Sequence, residues 1–204
     1  MDREEQFFTM CTTLPFEEVK DGRTEESIPE LVKVAELRDA GNIQAAVDYG
    51  KTLIKMFPDN DLAPFMVAYI YYQKEYPDEA FQTAIEAIPR CPRKYHLYSV
   101  AGLAEFDRGR LPEALVWWCR SVLAQCTVVD FREHDPFLHL AHAALTIDMK
   151  AQAEALFTMS DAIEPSAPRI DAEAQSRLEP LRKHWAREPL KRALVKIESA
   201  YLRG

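Results

Sequence analysis

Residues 78–92 read Asp78-Glu79-Ala80-Phe81-Gln82-Thr83-Ala84-Ile85-Glu86-Ala87-Ile88-Pro89-Arg90-Cys91-Pro92, a helix-forming run closed by prolines. The run has echoes. Ala80 is matched 34 residues earlier by Ala46, in Gln44-Ala45-Ala46, and 34 residues later by Ala114, in Pro112-Glu113-Ala114. Pro92 repeats Pro58 at the same interval of 34. A further copy, displaced by an insertion at Val129 to Glu133, centres on Ala153 in Gln152-Ala153-Glu154 and closes at Pro165. Gly41-Asn42 and Gly109-Arg110 begin five residues before Ala46 and Ala114. There a helix end needs a residue that tolerates the left-handed conformation. Self-similarity at a fixed period marks a chain that uses one supersecondary unit several times.

Each unit reads as two helices. The first of each pair is expected near 28–40, 62–74, 96–108 and 135–147, the second near 43–56, 77–88, 111–124 and 150–163. Pro29, Pro64, Pro77 and Pro136 fall in first turns, where a missing N–H costs nothing. Pro58, Pro92 and Pro165 follow helices that they cannot continue. Ala46, Ala80, Ala114 and Ala153 sit where paired helices must approach closely.

With this period and these residues the chain resembles a tetratricopeptide repeat protein, in copies at 27–60, 61–94, 95–128 and 134–167. Ala68, Tyr71, Ala80, Ala87 and Pro92 carry the likeness in the second copy, and Tyr98, Gly102, Gly109, Ala114 and Ser121 in the third. Leu140, Ala141, Ala153, Phe157, Ser160 and Pro165 carry it in the fourth. The sequence departs from the pattern at Gly50 and Glu105, where the family usually has an aromatic, and at Val34 and Cys126. The resemblance implies an all-α, right-handed superhelical solenoid over 27–168. Residues 1–26 form an N-terminal extension, able to pack on the first repeat or in the groove through Phe7, Phe8, Met10, Leu14 and Phe16. Residues 169–204 then supply capping helices, since a solenoid must cover its terminal apolar face. In that tail Ile170, Ala174, Leu178, Leu181 and Trp185, then Leu190, Leu194, Ile197 and Tyr201, mark two amphipathic helices split by Pro189.

Composition narrows the function classes. The content is 48% hydrophobic and 28% charged, an ordinary globular balance. The longest apolar runs are too short for a membrane span, and the acidic start does not look like a signal peptide, so a cytoplasmic protein is expected. Cys11, Cys91, Cys119 and Cys126 contain no Cys-x-x-Cys and read as buried thiols. The net charge of −8 disfavours nucleic-acid binding, although residues 169–204 are basic, with nine Lys/Arg against Asp171, Glu173, Glu179, Glu188 and Glu198.

In tetratricopeptide domains the first helices line a concave groove. The resemblance places Leu31, Ala35 and Arg38 there from the first copy, and Phe65, Tyr69, Tyr72 and Gln73 from the second. His96, Ser99, Leu103 and Phe106 follow from the third, and Leu138, His142 and Leu145 from the fourth. Such a lining is apolar and aromatic and lacks the cationic clamp for chaperone tails. The expectation is a non-enzymatic adaptor or scaffold, without cofactor, that holds a peptide or amphipathic helix of a partner protein. Phe65, Tyr69, Tyr72, Leu103 and Phe106 would be the anchors, with Arg38, Gln73 and His96 orienting the partner. Two alternatives stand beside it. Asp135, His139 and His142, at i, i+4 and i+7, place a carboxylate and two imidazoles on one helix face, a pattern that can ligate a divalent metal in a metalloprotein or enzyme. The third is a self-associating module or a single-stranded nucleic-acid binder, for which Arg38 alone gives little positive field.

Overall fold

The repeated turn is where sequence and structure meet. In the computed structural model, which describes residues 1–14, 29–91, 94–126, 133–165 and 169–202, Gly41 and Gly109 have φ of 78° and 74°. The same place in the other two copies is held by Glu75, with φ 62°, and Asp148, with φ 65°. Each of the four makes the same two bonds. Its own N–H reaches the carbonyl three residues back (Gly41 to Arg38 2.9 Å, Glu75 to Tyr72 3.0 Å, Gly109 to Phe106 3.0 Å, Asp148 to Leu145 3.1 Å). The next N–H reaches five back (Asn42 to Leu37 2.8 Å, Tyr76 to Tyr71 3.0 Å, Arg110 to Glu105 2.9 Å, Met149 to Ala144 2.8 Å). This is the Schellman closure, which satisfies the last carbonyls of a helix and turns the chain back.

The helices on either side fall close to their expected bounds. They are α2 (Glu30–Asp39), α3 (Ile43–Met56), α4 (Leu62–Gln73), α5 (Pro77–Ala87), α6 (Tyr95–Asp107), α7 (Leu111–Cys126), α8 (Asp135–Thr146) and α9 (Lys150–Ile163). Before them lies α1 (Arg3–Thr12), and after them α10 (Ala172–Leu178), a 3-10 turn (Glu179–Lys183), α11 (Arg187–Ile197) and a π turn (Glu198–Leu202). The fold is all-α, with no strand among the described residues.

By contact the chain makes two compact units, Phe16–Arg110 and, from two stretches of chain, Met1–Pro15 with Leu111–Gly204. The division falls inside the third copy, between α6 and α7. In the first unit each helix packs on the next, and α2 and α6 also touch α4. Its α2–α4 core holds Leu31, Val34, Ala46, Val47, Leu53, Ala63, Val67 and Ile70. Gly50 lies against the Val67 side chain, so α3 and α4 approach without a side chain between them. A second feature binds α5 to α6. The Arg108 guanidinium pairs with Asp78 (2.8 Å) and with buried Glu105 (2.7 Å), and lies over the Phe81 ring (4.9 Å).

In the second unit α7 packs on α8 and α8 on α9, around fully buried Trp118, Phe137, Leu140, Ile147 and Leu156. The four repeat alanines, 46, 80, 114 and 153, are all fully buried, as close approach requires. The tail departs from the expected pair of helices split at Pro189. Pro189 lies in the first turn of α11, where its missing N–H has no helical partner to lose. The break comes instead at Pro180, where α10 gives way to the 3-10 turn, and at His184–Ala186. Residues 3–12 form α1, which packs on α7 and α11. Phe7 meets the Trp185 ring edge-on (5.4 Å, 83°), and Glu5 pairs with Arg192 (2.9 Å). Residues 15–28, which include Phe16 of the N-terminal extension, lie outside the described residues.

Candidate functional site

α4 presents the clearest surface feature of its unit. Phe65, Tyr69 and Tyr72 stand at i, i+4 and i+7, which puts them on one helix face. All three rings are half-buried. The Phe65 and Tyr69 centroids are 5.7 Å apart with 27° between planes, and those of Tyr69 and Tyr72 are 6.1 Å apart at 34°. Phe65 also lies 4.8 Å from the His96 ring of α6, so the row continues onto the neighbouring helix. Gln73 is exposed at the end of α4. On α2 the Arg38 Nε donates to the Asp39 carboxylate (2.8 Å), which neutralises the cation expected to orient a partner.

Much of the remaining lining expected from the sequence is closed, although Ala35 is half-buried. His96 and Ser99 are buried, as are Leu31, Leu103, Phe106 and Leu138, each with at most 5% of its surface exposed. For the α6 members the physical reason is that every residue from Tyr95 to Phe106 is buried, because apolar groups run round the whole circumference of the helix. Phe106 is thus a core residue in this structure. Leu138 and His142 belong to the other unit, where Leu145 is exposed and His142 is half-buried.

The metal alternative does not assemble. Asp135 turns its carboxylate to His134 Nε2 (3.1 Å), whose other ring nitrogen faces Glu164 (3.2 Å). His139 Nδ1 donates to the backbone carbonyl of Asp135 (2.9 Å), and its ring lies 4.5 Å from Trp118. His142 meets Phe157 edge-on (5.1 Å). Burial above all, then the charges of His139 and Arg169, lowers its pKa to about 4, so the imidazole is neutral near pH 7. Among the described residues no group of three or more His, Cys, Asp or Glu side chains could hold a metal ion. None of the described helices is long and apolar enough to cross a membrane.

Comparison with models of known families, with curated proteins and with solved structures finds no match.

A second surface feature escaped the sequence reading. A cleft in the other unit is walled by Phe7, Met10, Val116 and Trp185, with Arg3 and Glu113 at its edge. The Arg3 guanidinium lies 3.8 Å above the Trp185 ring. These residues come from three distant stretches of chain, so no spacing in the sequence announces them.

Proposed function

We propose that the chain is a tetratricopeptide-like repeat module that binds another protein, and that the exposed edges of Phe65, Tyr69 and Tyr72 on α4 anchor it. The observation that carries this reading is the row of three half-buried rings on one helix face. Partly exposed tyrosines give large contact area at low entropic cost. The 34-residue period, the four similar turns and the packing of each helix on the next from α2 to α6 and from α7 to α9 support a solenoid of helix pairs. The ligand is an extended peptide or amphipathic helix with apolar side chains and no requirement for an acidic terminus.

The experiment is selection of displayed peptides on the wild-type chain, followed by affinity measurement on Tyr69→Ala/Tyr72→Ala. Circular dichroism confirms that the variant is folded. Selected peptides are expected to carry apolar anchors and to bind the variant about tenfold or more weakly, a loss of about 1.4 kcal/mol or more. Equal affinity for the folded variant, or no peptide selected at all, would remove α4 as the binding face.

A further inference from the structure

We propose that Cys11 and Cys119 are a modification site: they form a buried disulfide that staples α1 to α7, by exchange with a small-molecule disulfide. Both residues are fully buried, one on each of two helices that pack together, and Cys119 is the side chain beside the Cys11 thiol. A disulfide brings its sulfurs to about 2.05 Å. The register of the two helices brings the cysteines to the same place: Arg120, next to Cys119, donates to the carbonyl of Met10, next to Cys11 (3.2 Å).

Topology gives the staple a purpose. The chain leaves its unit at Pro15 and returns at Leu111, so α1 is joined covalently to α7 only through all the intervening residues. Without the staple, α1 is held by non-covalent contacts, among them Phe7 on Trp185, Glu5 on Arg192, and the Arg120 Nε–H on the Met10 carbonyl (3.2 Å). A ten-residue helix near a chain terminus opens more readily than the core beneath it.

Opening also controls the chemistry. Burial, then the neighbouring Cys119, pushes the Cys11 thiol well above its usual range, so packed Cys11 is protonated and inert. When α1 lifts, the thiolate of one cysteine attacks the oxidant's disulfide, forms a mixed disulfide and expels one small thiol. The second cysteine then attacks the protein sulfur and expels the other small thiol. One disulfide is consumed, one is formed, and the two cysteine hydrogens leave on the two released thiols. Once α1 settles back, the bond is shielded from reductants. Cys91 lies in the other unit, with its thiol on the Asn60 carbonyl (3.8 Å).

The test uses the full chain incubated with excess glutathione disulfide under folding conditions, then alkylated and digested without reduction. The expected product is a peptide containing Cys11 linked to one containing Cys119, with amide exchange in α1 slowed about tenfold or more relative to the reduced chain. Cys11→Ala, or Cys119→Ala if the first does not fold, is expected to show neither change. Recovery of both cysteines as alkylated thiols would overturn the proposal. So would linkage of either to Cys91 or Cys126, or a Cys11–Cys119 link that leaves α1 exchange unchanged.

Discussion

Glu75 and Asp148 occupy the left-handed turn position that glycine holds at 41 and 109. For an L-residue with a side chain this conformation costs about 1–2 kcal/mol, while a glycine in its place costs about 0.5–1 kcal/mol in chain entropy. Asp148 recovers part of that cost by facing Arg187 (3.7 Å) and Arg182 (4.0 Å), whereas the Glu75 side chain is exposed. Glu75→Gly is therefore expected to raise the stability of its unit by about 0.5–1 kcal/mol in urea unfolding. Gly50 behaves oppositely. A Cβ there collides with Val67 Cγ2, and overpacking of about 1–3 kcal/mol outweighs the roughly 1 kcal/mol gained in helix propensity. Gly50→Ala should lower stability by up to about 2 kcal/mol, and a stabilised variant would mean that α3 and α4 can separate at little cost. His142 predicts a pH dependence. Its folded-state pKa is depressed to about 4 against 6.5 unfolded, so the unfolded chain binds more protons between those values. For this group stability is level above about pH 6.5 and falls as pH drops toward 4. Urea midpoints at pH 7.5, 6 and 5 should fall in wild type and fall less in His142→Gln. The residual slope belongs in part to His184, also lowered by burial and then by Arg3. Parallel slopes in the two proteins would remove His142 as the cause.

At the scale of elements, the helix bounds were legible because the stop signals are local. Glycine in the turn, proline after a helix and alanine at the close approach each act within a few residues, and α2 to α9 fall near their expected places. Which face each helix exposes was not legible. α6 has apolar groups all round, so its sequence pattern names no buried side, and the packing decides that His96, Leu103 and Phe106 are covered. Glu105, where the repeat pattern has an aromatic, is likewise explained only by its partners. Its carboxylate is buried in the α5–α6 contact and is matched by Arg108 (2.7 Å) and by Arg110 (3.7 Å). Removing one partner of a buried pair costs more than removing both, because it strands a charge. Arg108→Ala should destabilise the chain by about 3 kcal/mol, and Arg108→Ala/Glu105→Leu by clearly less. Urea unfolding of the two variants decides it. A double variant less stable than the single would mean that Glu105 acts through contacts other than its guanidinium partners.

At the scale of the molecule, the four similar turns end in a unit that is not assembled from neighbouring sequence. The unit containing α7 to α11 is completed by α1, whose residues lie almost a hundred positions away from α7 along the chain. Periodicity could not reveal this, because α1 has no counterpart in the repeat. Its fit rests on two inward side chains: Phe7 against Trp185, and Cys11 against Cys119. Full burial of a side chain the size of Phe7 contributes about 1.5–3 kcal/mol, and Cys11 adds a smaller amount. A chain lacking residues 1–14 should therefore lose roughly 3 kcal/mol from this unit. The loss should appear as faster amide exchange in α7 and α11, the two helices that α1 covers. If the loss comes from the uncovered seat, a synthetic peptide of residues 1–14 added in trans should restore the protection in a concentration-dependent way. It binds the folded unit and not the unfolded chain, so it stabilises by mass action. A Phe7→Ala peptide should need a much higher concentration for the same effect. Equal rescue by both peptides would show that the Trp185 contact does not hold α1. Unchanged exchange on deletion would show that α7 and α11 carry their unit without it.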